Sequence, residues 1–129
     1  MATIMITGID EAMARLERMG AEAEPAFMAA AQAGGQLMAE KISAGAPRRT
    51  GGVAGSIKSG SPKHTMGDGF HCEVKPEGSD SHGEPYAKIV NILEYSATRG
   101  HPFFYAEADA AAGEVRAVMT DMVREKLTK

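Results

Sequence analysis

The chain has 129 residues, 43% of them apolar, yet it contains only four Phe, three Tyr and no Trp. One domain spanning residues 1–129 is expected, with a thin core whose small Ala faces and adaptable Met side chains suit packing against neighbours, although an ordinary Ala-rich monomer fits the composition equally well. A formal charge of −3 argues against a protein that coats nucleic acid through its overall charge.

Cys72 is the single cysteine, so an intramolecular disulfide is excluded and a reducing compartment fits best. Residues 1–10 have neither the basic flank nor the apolar length of a signal peptide or membrane span. A soluble protein made in a cytoplasm, with no membrane partner, is the expectation.

Residues 1–8 read as a short strand or arm, because Thr3, Ile4, Ile6 and Thr7 are β-branched and Gly8 closes the run. Asp10 can cap a first helix in which Met13, Leu16 and Met19 share a face, ending at Gly20. Pro25 suits the first turn of a second helix, where Phe27, Ala30, Ala31, Gly34, Leu37, Met38 and Ile42 recur at helical spacing up to Gly45. Its centre, Ala29 to Gly35, is nearly bare of bulk. Each Gly there costs roughly 1 kcal/mol relative to Ala, which predicts close approach of another backbone.

Residues 45–69 are rich in Gly, Ser, Pro and Lys without a sustained period and read mostly as loop. A short strand is predicted around Ser56 to Ser59. Another is predicted at Phe70 to Lys75, where Phe70, Cys72 and Val74 alternate with His71, Glu73 and Lys75. Pro76 to Pro85 reads as a polar turn. Tyr86 to Tyr95 fits either a helix face or a strand, and a helical turn leading into an extended segment is preferred. The last element is the clearest: from Phe103 to Leu127, Phe104, Ala108, Ala111, Val115, Val118, Met119, Met122 and Leu127 fall at steps of three and four. The predicted class is α+β, with N-terminal helices and a long C-terminal helix packed on a small antiparallel sheet beside a long flexible loop.

The titratable residues do not assemble into a catalytic pattern. His64, His71, His82 and His101 are scattered, and a strand would turn Cys72 away from its neighbour His71. No zinc-ligand spacing exists, and Gly51-Gly52 and Gly67-Asp68-Gly69 lack the strand, helix and lysine context of a phosphate loop. No cofactor, metal or catalytic residue is therefore assigned. Charge does single out one stretch: between Lys41 and Met66 lie Lys41, Arg48, Arg49, Lys58, Lys63 and His64, and no carboxylate. That stretch is a solvated loop, a contact for an acidic neighbour, or a contact for nucleic-acid phosphates.

Two motifs carry a resemblance. Ala46-Pro47-Arg48-Arg49-Thr50-Gly51 followed by Ser56-Ile57, and Tyr86-Ala87, Leu93-Glu94-Tyr95 and Gly100-His101-Pro102-Phe103-Phe104 followed by Ala108, resemble in order and separation two segments of the tail-component family of long-tailed bacteriophages. The resemblance extends over about residues 9–127. This chain differs from the family pattern at Val53, at Ser96 and in the pair Asn91-Ile92 before Leu93-Glu94. Pro47 would end the second helix and Thr50-Gly51 would form a turn. Glu94 would serve either as the partner of a cation or backbone amide, or as a surface carboxylate. Phe103 and Phe104 would anchor the long helix, with one of them available to a neighbour.

The resemblance implies a virion protein of the tail or neck, a tail-completion or head–tail joining subunit. It would form a homo-oligomeric ring, expected to be a hexamer, against tail-terminator, tail-tube and connector proteins, with DNA passing transiently through the lumen. Arg48, Arg49, Lys58 and Lys63 are the candidate partner or lumen contacts, and Pro47, Thr50, Gly51, Tyr86, Glu94, Pro102, Phe103 and Phe104 the candidate structural motif. The rival reading is a small nucleic-acid-binding or regulatory module using residues 41–66. An enzyme ranks third.

Overall fold

The structure, a computed structural model, describes residues 3–6, 23–47, 51–67, 69–98 and 100–127. Strand β1 spans Ile4–Ile6, helix α1 Ala23–Gly45 and the short helix α2 Gly52–Ser56. Strands β2, β3 and β4 follow at Ile57–Ser59, Lys63–Thr65 and Gly69–Pro76. Helix α3 runs from Tyr86 to Tyr95 and helix α4 from Phe104 to Leu127. The architecture is α+β. The helix expected between Asp10 and Gly20 lies outside the described residues.

β4 is the centre of the antiparallel sheet. β1 pairs along one edge, with Ile4 opposite Val74 and Ile6 opposite Cys72. β2 and β3 follow one another along the other edge, with Ser59 opposite Val74 and Lys63 opposite His71. Between those pairs, Gly60, Ser61 and Pro62 stand against only Glu73 and Cys72, so the edge carries a one-residue bulge. Pro62, which has no N–H to give to a ladder, fits such a break. The bulge decides which side chains point where. Continued alternation from Lys58 would send His64 to the same face as Lys58; the extra residue sends Lys63 there instead and turns His64 the other way. His64 then stacks on Phe70 at 3.9 Å, and Phe70 on Phe27 at 5.1 Å.

α1 lies between the sheet and α4, packing on both. This explains why its apolar positions exceed one stripe: Phe27, Ala30, Ala31, Met38, Ala39 and Ile42 are all buried, and beyond the first turn the exposed positions reduce to the row Gln32, Gln36, Glu40 and Ala44. Gly35 supplies the predicted close approach. A Cβ there would collide with Ser59 Oγ and stand 2.9 Å from Cys72 Sγ, so the missing side chain lets α1 settle on β2 and β4. On the opposite side Glu107 lies across Gly45, and Lys41 Nζ reaches Glu114 Oε2 at 3.0 Å, which sets α4 antiparallel to α1. α4 buries Phe104, Ala108, Ala111, Val115 and Met119 of the predicted stripe and adds Val123, whereas Val118 and Met122 are half-buried and the side chain of Leu127 lies outside those described.

Three expectations need correction. Among the described residues, the stretch from 45 to 69 is not mostly loop, since α2, β2 and β3 occupy much of it: Ala54 and Ile57 are buried and draw the chain onto the core. Residues 86–95 do not pass into an extended segment; they stay helical throughout, because Val90 is buried and Leu93 packs against the core, and tertiary burial overrides β-branched propensity. Finally, neither Phe103 nor Phe104 is held out for a neighbour. They are 2% and 0% exposed, with rings edge to face at 6.3 Å.

Candidate functional site

The second motif closes around Glu94. This residue lies in the last turn of α3, and its Oε1 accepts the Phe103 N–H at 2.7 Å and the Phe104 N–H at 2.6 Å. Both amides belong to the start of α4, where the helix has no carbonyl of its own to offer them. The carboxylate also sits at the positive end of the α4 dipole. Of the alternatives open from sequence, the structure selects the backbone-amide partner. The intervening loop is tied back twice, by Ser96 N–H to the Ile92 carbonyl at 2.9 Å and by His101 N–H to the Leu93 carbonyl at 2.7 Å. Gly100 is required there, because a Cβ would strike the Ser96 carbonyl oxygen. Tyr86 opens α3 half-buried, and Pro102 is exposed beside the two buried phenylalanines.

The first motif is a helix-to-helix corner. Pro47 follows the end of α1 half-buried, whereas Arg48, Arg49 and Thr50 lie outside the described residues. Gly51 adopts φ 77°, a left-handed conformation that favours glycine, and its carbonyl accepts the Gly55 N–H at 2.9 Å. Ser43 Oγ donates to the Ala54 carbonyl at 2.7 Å and binds α1 to α2. Ser56 Oγ donates to the Val53 carbonyl at 2.7 Å within the short helix.

The basic residues of 41–66 divide into two groups. Lys41 is engaged by Glu114, and His64 is stacked on Phe70 with its Nδ1 3.9 Å from Glu24 Oε1. Lys58 and Lys63 are exposed, and the register turns both to the sheet face away from α1. The same register adds a residue that lies outside the basic stretch along the chain: Lys75, also exposed, stands directly opposite Lys58. The signal was present in the alternation of residues 70–75, but it required knowing which strand pairs with which.

Reactive groups stay apart. Cys72 is fully buried, with Sγ 2.8 Å from the Gly60 carbonyl and 3.1 Å from Ser59 Oγ. His71 points from the other side of the strand and is only 3% exposed, its Nδ1 3.0 Å from the Gly69 carbonyl. His82 and His101 are exposed. Asp80 shapes the turn before α3: its Oδ1 accepts the N–H groups of Glu84 at 2.9 Å and His82 at 2.8 Å, and these bonds, that from Glu84 foremost, hold its carboxyl below the usual carboxylate range. Among the described residues no group of three or more His, Cys, Asp or Glu is placed to hold a metal. No described helix is long and apolar enough to cross a membrane.

A family model described as "Bacteriophage HK97-gp10, putative tail-component" matches residues 10–92, nearly two thirds of the chain. The match takes in the Pro47 to Ile57 motif and the Tyr86-Ala87 pair, and it stops just short of Glu94. No curated protein and no solved structure matches. The chain therefore belongs to the HK97-gp10-like family of bacteriophage tail components.

Proposed function

We propose that this tail component is a tail-completion or head–tail joining subunit, a single structural domain without catalytic function that acts in the virion at the head-proximal end of the tail. In this reading copies of the chain form a ring, taken as a hexamer, between tail and connector proteins, and DNA passes through its lumen. Arg48, Arg49, Lys58 and Lys63 position the subunit against carboxylates or backbone of partner proteins or face the lumen.

The observation that carries the reading is the arrangement of Lys58 and Lys63 within a tail-component family member. Both are exposed on the sheet face away from helix α1, and among the described residues neither has a carboxylate within 4.0 Å. The test is a negative-stain comparison of purified tails with and without added protein. Ring-shaped density at one tail end, reduced when Arg48, Arg49, Lys58 and Lys63 are all replaced by Ser, supports the reading. Tails unchanged by the wild-type protein contradict it.

A further inference from the structure

Among the described residues, the sheet face away from α1 carries like charges with no paired carboxylate. Lys58 and Lys75 are directly opposed across β2 and β4, which places their Cβ atoms about 5 Å apart. Like charges so placed destabilise a sheet. Lys63 joins the same face opposite His71. Four steps along β4 separate the two rows, so Lys63 stands roughly 13 Å along the strand from the Lys58 and Lys75 pair. The one-residue bulge at 60–62 is what brings Lys63 to this side; without it His64 would be there.

Among the described residues these three lysines are also the sheet's cations without a paired carboxylate. Lys41, His64 and Lys88 each have a carboxylate within 4.0 Å, whereas among the described residues none lies that close to Lys58, Lys63 or Lys75. Glu73, between His71 and Lys75 on that face, is half-buried and makes no ion pair with them. The row has no exposed large apolar side chain within it, since those of the described residues are Met66, Ile92 and Tyr95. Protein partners are usually held by buried aromatic or aliphatic anchors. A row of exposed ammonium groups without an apolar anchor suits a repeating anion that is followed and not gripped.

We propose that Lys58, Lys63 and Lys75 form a contact face for the phosphodiester backbone of nucleic acid, weak and indifferent to sequence. The proposal deepens the ring reading by naming which face of the subunit meets DNA, and its test uses the free protein so that the two fail separately. Fluorescence anisotropy of a labelled duplex of about 20 base pairs, long enough to offer several phosphates to the face, is measured from low to physiological salt. The wild type is compared with the Lys58→Gln, Lys63→Gln, Lys75→Gln triple variant. A second triple variant, Lys41→Gln, Lys88→Gln, Lys126→Gln, removes the same charge elsewhere.

Wild-type affinity is expected in the range of roughly 10⁻⁴ to 10⁻⁶ M at physiological salt. The slope of log affinity against log salt should be shallower by about 2.7 in the sheet variant, about 0.9 for each phosphate no longer neutralised. The control variant should keep nearly the wild-type slope, and thermal melts should show both variants folded. Equal slopes for the two variants, no wild-type binding at low salt, or binding of polyglutamate in place of DNA would each overturn the proposal. If the DNA slope does not change while tail joining still fails, this face is not the DNA contact and the joining reading stands.

Discussion

Glu94 Oε1 lies 2.6 Å from the amide nitrogen of Phe104, so the last turn of α3 caps the first turn of α4 across a loop. The same oxygen takes the Phe103 N–H. One carboxylate thus fixes where the long helix starts and how two buried aromatic rings enter the core. Glu94→Ala removes the acceptor from both amides and should cost about 2 kcal/mol, between the loss of a helix cap and that of a charge-assisted bond. Glu94→Gln keeps an acceptor oxygen and loses mainly the charge at the helix end, worth roughly 0.3–1 kcal/mol. Denaturant melts of both variants check the order; equal and negligible shifts would show that the cap is not energetically coupled to the fold.

Phe103→Ala and Phe104→Ala should both destabilise the protein heavily. Both side chains are buried, at 2% and 0% exposure, and truncating a buried Phe typically costs about 3–5 kcal/mol. Helical periodicity alone favours Phe104 as the more important residue, because it continues the stripe through Ala108, Ala111 and Val115. The burial of Phe103 just ahead of the helix predicts a comparable loss. Thermal unfolding distinguishes these, since a Phe103→Ala variant that melts like the wild type would mean that its ring is not part of the core.

Gly35→Ala sets two effects against each other. Helix propensity favours Ala by about 1 kcal/mol. The new methyl would meet Ser59 Oγ and Cys72 Sγ, the latter at 2.9 Å, and overpacking of this kind costs about 1–3 kcal/mol. Packing should prevail and the melting temperature should fall. The paired change Gly35→Ala with Ser59→Ala should recover part of the loss, because the nearer obstacle is then gone. A rise in melting temperature for the single variant would show that α1 does not approach the sheet closely.

α1, β4 and α4 are legible in the sequence because apolar side chains recur along each at a helical or strand period, as Phe70, Cys72 and Val74 do. β3 is not, since Lys63, His64 and Thr65 are all exposed and offer no apolar alternation to detect. α2 was hidden by its two glycines, and only the burial of Ala54 and Ile57 shows why the chain coils there. Glu94 stood out by motif, but its role depended on amides nine and ten residues away across a loop whose path is set by bonds to Ile92 and Leu93. Lys75 is remote along the chain from the other basic residues, and its neighbour Lys58 is reached only across the sheet.

The central claim, that this tail component joins tails to heads, is tested most directly by electron micrographs of lysates from a phage whose copy of the gene is deleted. A joining subunit requires DNA-filled heads and tails of normal length in the same lysate, unjoined, with joining restored by the wild-type chain supplied in trans. Normal yields of joined particles without the protein, or the loss of tails altogether, would contradict it.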